Sequence, residues 1–418
     1  MPARAETDIP RFVALDGLRG LAAISVLLMH FTIRTGFPTL RMGYFAVDLF
    51  FCLSGFVLAH TYSARLAAGM RARDFMLRRL IRLYPLYFVG LMLGFAALAL
   101  KTAVGLSDYS GGDLFASLRD NLLFLPYFNA HLVTSFGYPV RGELFPSNPA
   151  AWSLFFELAV NLAFARFANL SPRALVGFVA ISLIAYLAAL MVLAAQPGWG
   201  AQNFWGGVPR VAFGFFAGVA AHEAWRASSG RGVLRGRRAF VTTLAIAALI
   251  VALFLQPFAL AYPCALLLAP LIVFIAARIE IGGRIAALCA GLGWLSYPLY
   301  CLHGPIYGLV EASGAALRNP LTGSPAVFIV ALVLTLMASI VLTRMFEEPA
   351  RAWLSARLRG GRAMTSVPDA LVDPLAVNRT LGREREERSD EAIQRADACV
   401  ASPSTRNISS EAKRHAVT

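Results

Sequence analysis

The chain has 418 residues, 58% of them apolar and only 15% charged, with a formal net charge of +14 and a mean hydropathy of +0.62. Soluble domains carry about 25% charged residues, so an ordinary globular enzyme, a disordered chain and a fibrous protein are excluded. Stretches of about 20 apolar residues predict an all-α protein, a polytopic membrane helix bundle.

In chain order the predicted spans are 12–33, 43–62, 84–104, 149–168, 174–194, 204–224, 239–256, 258–279, 286–311 and 324–346, about ten transmembrane helices in all. The first span carries Asp16 and Arg19 and has no small-residue cleavage site, so it reads as a retained helix rather than a signal peptide. The connection 105–148 is long, with an amphipathic patch near Leu114–Phe128. Residues 1–356 form the expected transmembrane domain. The segment 357–418, rich in Arg, Glu, Ser, Asp and Ala, reads as a disordered cytoplasmic tail.

The positive charge is a topology signal, not a nucleic-acid footprint. The last 62 residues hold 11 basic and 9 acidic groups, so +12 of the net +14 belongs to the apolar part. With the N-terminus in the cytoplasm, the inner connections receive fifteen basic residues, among them Arg71, Arg73, Arg78, Arg79, Arg82, Arg235, Arg237 and Arg238. The outer connections receive six: Arg34, Arg41, Lys101, Arg119, Arg141 and Arg318. This asymmetry predicts that both termini are cytoplasmic. Five Cys without a CxxC pattern support neither a disulfide framework nor a zinc site, and no metal is expected.

Charge inside a bilayer is costly, so each buried ionisable residue is a functional candidate. In the first span Arg19 and His30 are eleven residues apart, three turns plus ~20°, on one face and about 16 Å apart along the axis. Asp16 sits at i−3 from Arg19 and can pair with it. Asp48 in the second span calls for an Arg or His partner, and Ser54 with Gly55 suits helix packing. Ahead of Pro85, Arg79 and Arg82 read either as plain inner-loop charge or as a clamp for phosphate. Glu157 is buried in the fourth span near Trp152 and Ser153. The ninth span carries Tyr297, Tyr300 and His303, the last two on one face. Glu347 and Glu348 are expected at the interface, and His60 and His222 read as structural.

Five motifs occur in order: Arg19 with His30; DLFFCLSGF, Asp48 to Phe56; RRLIRLYPLY with Arg79, Arg82, Tyr84 and Pro85; WSLFFE with Trp152, Ser153 and Glu157; and SYPLYCLH with Ser296, Tyr297, Tyr300 and His303. With these motifs the chain resembles the acyltransferase-3 family of bacterial integral-membrane acyltransferases over about 11–355. Cys301 stands where the family often has Leu. Some relatives append a soluble SGNH domain, and the tail here contains no such sequence.

The resemblance implies transfer of an acyl group, usually acetyl, from acetyl-CoA or another acyl-CoA to a hydroxyl of a cell-envelope carbohydrate or glycolipid, in the bacterial inner membrane and without nucleic acid. His30 would be the base or acyl carrier, with Asp16 or Glu157 orienting it. Arg19, Arg79 and Arg82 would hold the CoA phosphates or stabilise developing charge, and Asp48, Tyr297, Tyr300 and His303 would line the acceptor side. The rival reading is a transporter or permease for an acylated or anionic solute that uses the same charges as its path.

Overall fold

The structure is a computed structural model that describes residues 12–32, 43–167, 170–193, 196–228, 233–254, 258–318 and 325–360. Its helices in chain order are α1 (Val13–Thr32), α2 (Gly43–Ala67), α3 (Ala72–Ala103), α4 (Gly111–Leu122), α5 (Ala151–Arg166), α6 (Pro172–Leu193), α7 (Phe204–Ala227), α8 (Gly236–Phe254), α9 (Phe258–Ala276), α10 (Gly283–Ala316), α11 (Pro325–Leu342) and α12 (Glu348–Gly360). A π-helical turn, Thr343–Glu347, joins the last two. Between α4 and α5 a hairpin pairs β1 (Leu132–Ser135) with β2 (Tyr138–Arg141), Ser135 opposite Tyr138.

The fold is the expected all-α polytopic bundle. Every predicted span falls on a helix, and seven stretches among the described residues are long and apolar enough to cross a membrane. The fourth predicted span, α5, has only 16 residues. The outer surface is apolar where water would demand polarity: Met191 is 85% exposed and Ile181 69%. An exposed apolar belt of this kind is a lipid-facing surface. The amphipathic patch of the long connection is α4, whose start is fixed by a capping box between Ser110 and Asp113.

Small residues set the interhelical distances, as expected where apolar burial cannot drive association. A Cβ on Gly55 of α2 would lie 1.9 Å from the Phe215 carbonyl oxygen of α7, and one on Gly218 would lie 2.0 Å from the Cys52 carbonyl oxygen. The two backbones therefore touch reciprocally, and any side chain at either position would force them apart.

Helix α10 contains Pro298 and Pro305. Pro305 has no N–H to give the Cys301 carbonyl one turn earlier. That carbonyl instead accepts from Asn148 Nδ2 at 3.1 Å, which ties the connection before α5 to the centre of α10.

Residues 11–358 form one compact unit. The predicted tail lies outside the described residues beyond Gly360, and α12 occupies its first positions. Glu347, expected at the interface, is buried and accepts from Arg351 Nη1 at 3.0 Å. The π turn carries its side chain inward.

Candidate active site

Helices α1 and α10 bring two imidazoles together. His30 Nδ1 lies 2.9 Å from His303 Nε2. The far nitrogen of His303, Nδ1, faces the carbonyl oxygens of Tyr300 at 2.8 Å and Leu299 at 3.1 Å. Carbonyls only accept, so His303 Nδ1 carries the proton and a neutral ring leaves Nε2 as an acceptor. His30 Nδ1–H then donates to it, and His30 Nε2 keeps a lone pair. The network assigns the tautomer that a base or nucleophile requires.

Phe136 closes this pair from the hairpin. Its ring stacks on His30 with centroids 4.4 Å apart and planes 5° from parallel. Phe136 and Gly137 form the two-residue turn between β1 and β2, with φ of 50° and 82°. An aromatic residue in the left-handed region is uncommon and costs on the order of 1 kcal/mol or more. Here the strain directs the ring onto the imidazole.

The predicted orienters of His30 lie elsewhere. Asp16 pairs with Arg19 and packs against Gly293, fourteen residues and about 21 Å along α1 from His30. Glu157 accepts from Arg79 Nη2 at 2.5 Å and from Ser54 Oγ at 3.0 Å. A carboxylate taken from water needs its cation close by, so both acids follow arginines rather than the histidine. His303 holds the position assigned to them.

Arg79 is therefore tied to Glu157, while Arg82 is half-buried on the same helix beside Tyr297. Arg19 is half-buried at the opposite end of α1 from His30. Tyr297 donates to the Leu83 carbonyl, and Tyr300 shares a 2.6 Å hydrogen bond with Ser153. Both phenols join α10 to its neighbours, and only Tyr300, with its ring 5.9 Å from His303, borders the imidazoles.

Asp48 does not line the acceptor side. Its carboxylate receives Arg210 Nε at 2.8 Å and Nη2 at 3.0 Å, plus the hydroxyls of Tyr262 and Tyr186. Arg210 is 1% exposed, donates to the Pro197 carbonyl at 3.0 Å and lies over Trp152. This saturated network joins α2, α6, α7 and α9 and leaves no carboxylate for a ligand. His60 and His222, 5.5 Å apart, sit in an aromatic cluster with Phe56 and Trp225, in keeping with the structural reading.

A second polar group lies behind Phe136. Lys101 at the end of α3 meets Glu311 of α10 at 2.9 Å, each about 8% exposed. The pocket beside it is lined by Lys101, Ser135, Phe136, Glu143, Ser147 and Gly304, the residue after His303. A Cβ on Gly94 of α3 would lie 1.5 Å from the Ser147 carbonyl oxygen, so the glycine lets this wall lie directly on the helix. Burial pushes the Glu143 carboxyl from 4.5 up to about 7, partly offset by the Ser135 hydroxyl and Lys101. Sequence reasoning counted Lys101 only as a loop cation and passed over Glu143, Glu311 and Phe136. An acid in the apolar run GLVEASG was the one available signal.

A multi-helix apolar bundle holding a base-competent imidazole in its interior defines a class of membrane protein suited to group transfer. The chain belongs to the acyltransferase domain family, whose match covers residues 12–344, and is a multi-pass membrane acyltransferase. A relative from Rhizobium radiobacter, described as protein 2 in picA locus, is 39% identical over 196 residues, 44% of this chain and 96% of that protein. No solved structure matches.

Proposed function

We infer that this acyltransferase moves an acyl group, usually acetyl, from acyl-CoA to a hydroxyl of a cell-envelope carbohydrate or glycolipid at the bacterial inner membrane. The observation that carries the reading is His30 Nε2, held as a lone-pair nitrogen by the His303 contact. Arg19 lies about 16 Å from it on the same face of α1, a length that the extended pantetheine arm of coenzyme A can bridge. Arg19 and Arg82 would meet the phosphates, with both termini and the Arg-rich connections cytoplasmic. Arg79 would shape that mouth through Glu157.

In the base mechanism His30 Nε2 takes the acceptor hydroxyl proton as that oxygen attacks the thioester carbonyl. The C–S bond breaks and the proton passes to the departing thiolate. In the carrier mechanism Nε2 attacks first, forming an acyl-imidazole that the hydroxyl then opens. Both need the same tautomer and yield one ester and one free thiol.

The test is thioester cleavage and acylated product formed by purified protein in nanodiscs with acetyl-CoA, wild type against His30→Ala. Loss in the variant supports the reading. Solute uptake with no covalent product would replace it with the transporter.

A further inference from the structure

The His pair and its arginines leave the pocket behind Phe136 without a role. Glu143 is 7% exposed and Ser147 1%. Glu143 Oε2 and Ser147 Oγ both lack a hydrogen-bond partner among the described residues. Buried polar atoms left open are costly, and such groups in a pocket point to a ligand or water that completes them.

The chemistry of the opening narrows the ligand. Lys101 is neutralised by Glu311, and Glu143 adds a second acid, so the pocket carries no positive charge for an anion. A carboxyl and a serine hydroxyl are the donors and acceptors that neutral hydroxyl groups match. The free space is about the size of one water molecule, which suits a single hydroxyl and not a whole ring. Phe136 is a shared wall, lining the pocket and lying on His30. A group anchored here thus lies one aromatic ring away from the base.

We propose that Glu143 and Ser147 bind a non-reacting hydroxyl of a neutral polyhydroxyl acceptor, anchoring it beside Phe136 while a more distant hydroxyl of the same molecule reaches His30. This rests on the acyl-transfer reading and adds the acceptor's charge class and a contact residue for it. Glu143 would take hydrogen bonds from the bound hydroxyl, Ser147 would complete them, and the Lys101–Glu311 pair would hold the wall.

The experiment uses the full chain in nanodiscs with fixed acetyl-CoA and methyl β-D-glucopyranoside as the hydroxyl probe. Its uronate counterpart, methyl β-D-glucuronide, serves as the anionic control, and acetylated product is counted by mass. Wild type should acetylate the glucoside with a lower KM than the glucuronide. Assayed above pH 8, where the Glu143 carboxyl is ionised, Glu143→Gln should raise the glucoside KM about tenfold, the effect of one charge-assisted hydrogen bond, with kcat moving less. Ser147→Ala should shift KM in the same direction, and it decides the matter if Glu143→Gln does not fold. A glucoside KM unchanged in both variants, a fall in kcat alone, or glucuronide used as well as glucoside would overturn the proposal. Acetyl-CoA cleavage by wild type with no glucoside product would overturn it and leave the acyl-CoA reading standing. Failure of wild type to bind or cleave acetyl-CoA would remove both.

Discussion

His30 and His303 are 273 positions apart in the chain and 2.9 Å apart in the structure. The contact works in one direction only. Two backbone carbonyls of α10 fix the proton on the outer nitrogen of His303, and this fixes the proton on His30 in turn. A second imidazole thus does what a carboxylate does in many hydrolytic sites, without bringing negative charge into the bundle.

Substituting His30 with Ala should lower thioester turnover by about 10²–10⁴-fold, the usual worth of a positioned base, while membrane insertion survives. His303→Gln keeps an acceptor for His30 Nδ1–H, so its turnover should fall between wild type and His303→Leu. Equal loss in the two His303 variants, measured by acetyl-CoA cleavage in nanodiscs, would show that the tautomer argument is wrong.

Arg79 and Arg82 should separate into different phenotypes. Arg79→Ala leaves Glu157 partly buried without its cation and should destabilise the protein by about 1–3 kcal/mol, seen as a lower melting temperature in detergent. Arg82→Ala should leave melting unchanged and raise the apparent KM for acetyl-CoA. Matching behaviour of the two variants would contradict the division of labour.

Asp48 should act on stability. Asp48→Ala strands Arg210 at 1% exposure, a loss of about 3–5 kcal/mol. Asp48→Leu with Arg210→Met removes both charges and should recover much of it. Unfolding of purified variants reads this directly, and full stability of Asp48→Ala would refute the network's role.

Glu143 gives a pH signature. Its carboxyl titrates near 7 when folded, against 4.5 ordinarily. Between those values the folded state holds a proton that the unfolded state has released. Stability therefore falls as pH rises through this window, by about 3 kcal/mol in all. The difference in stability between wild type and Glu143→Gln should change by that amount between pH 4.5 and above 7. A flat difference would place Glu143 in contact with solvent.

The sequence by itself determined the class and the helices, because a bilayer admits few solutions and apolar runs near 20 residues declare them. Arg19, His30, Arg79, Glu157 and His303 stood out for the same reason, as ionisable groups amid Leu, Ala and Phe. Partnership was not legible. Periodicity along α1 aligns Asp16 with Arg19 but says nothing of which helix faces His30, so the carboxylates suggested themselves as orienters. Tertiary packing decided otherwise: Gly17 and Gly20 let α10 lie close against α1, and that approach brings His303 to His30. The hairpin was still less visible, because Phe136 adopts a backbone conformation that a sequence rule assigns to glycine or asparagine. Contacts between distant segments depend on side-chain shape across two surfaces, and a linear pattern records only one of them.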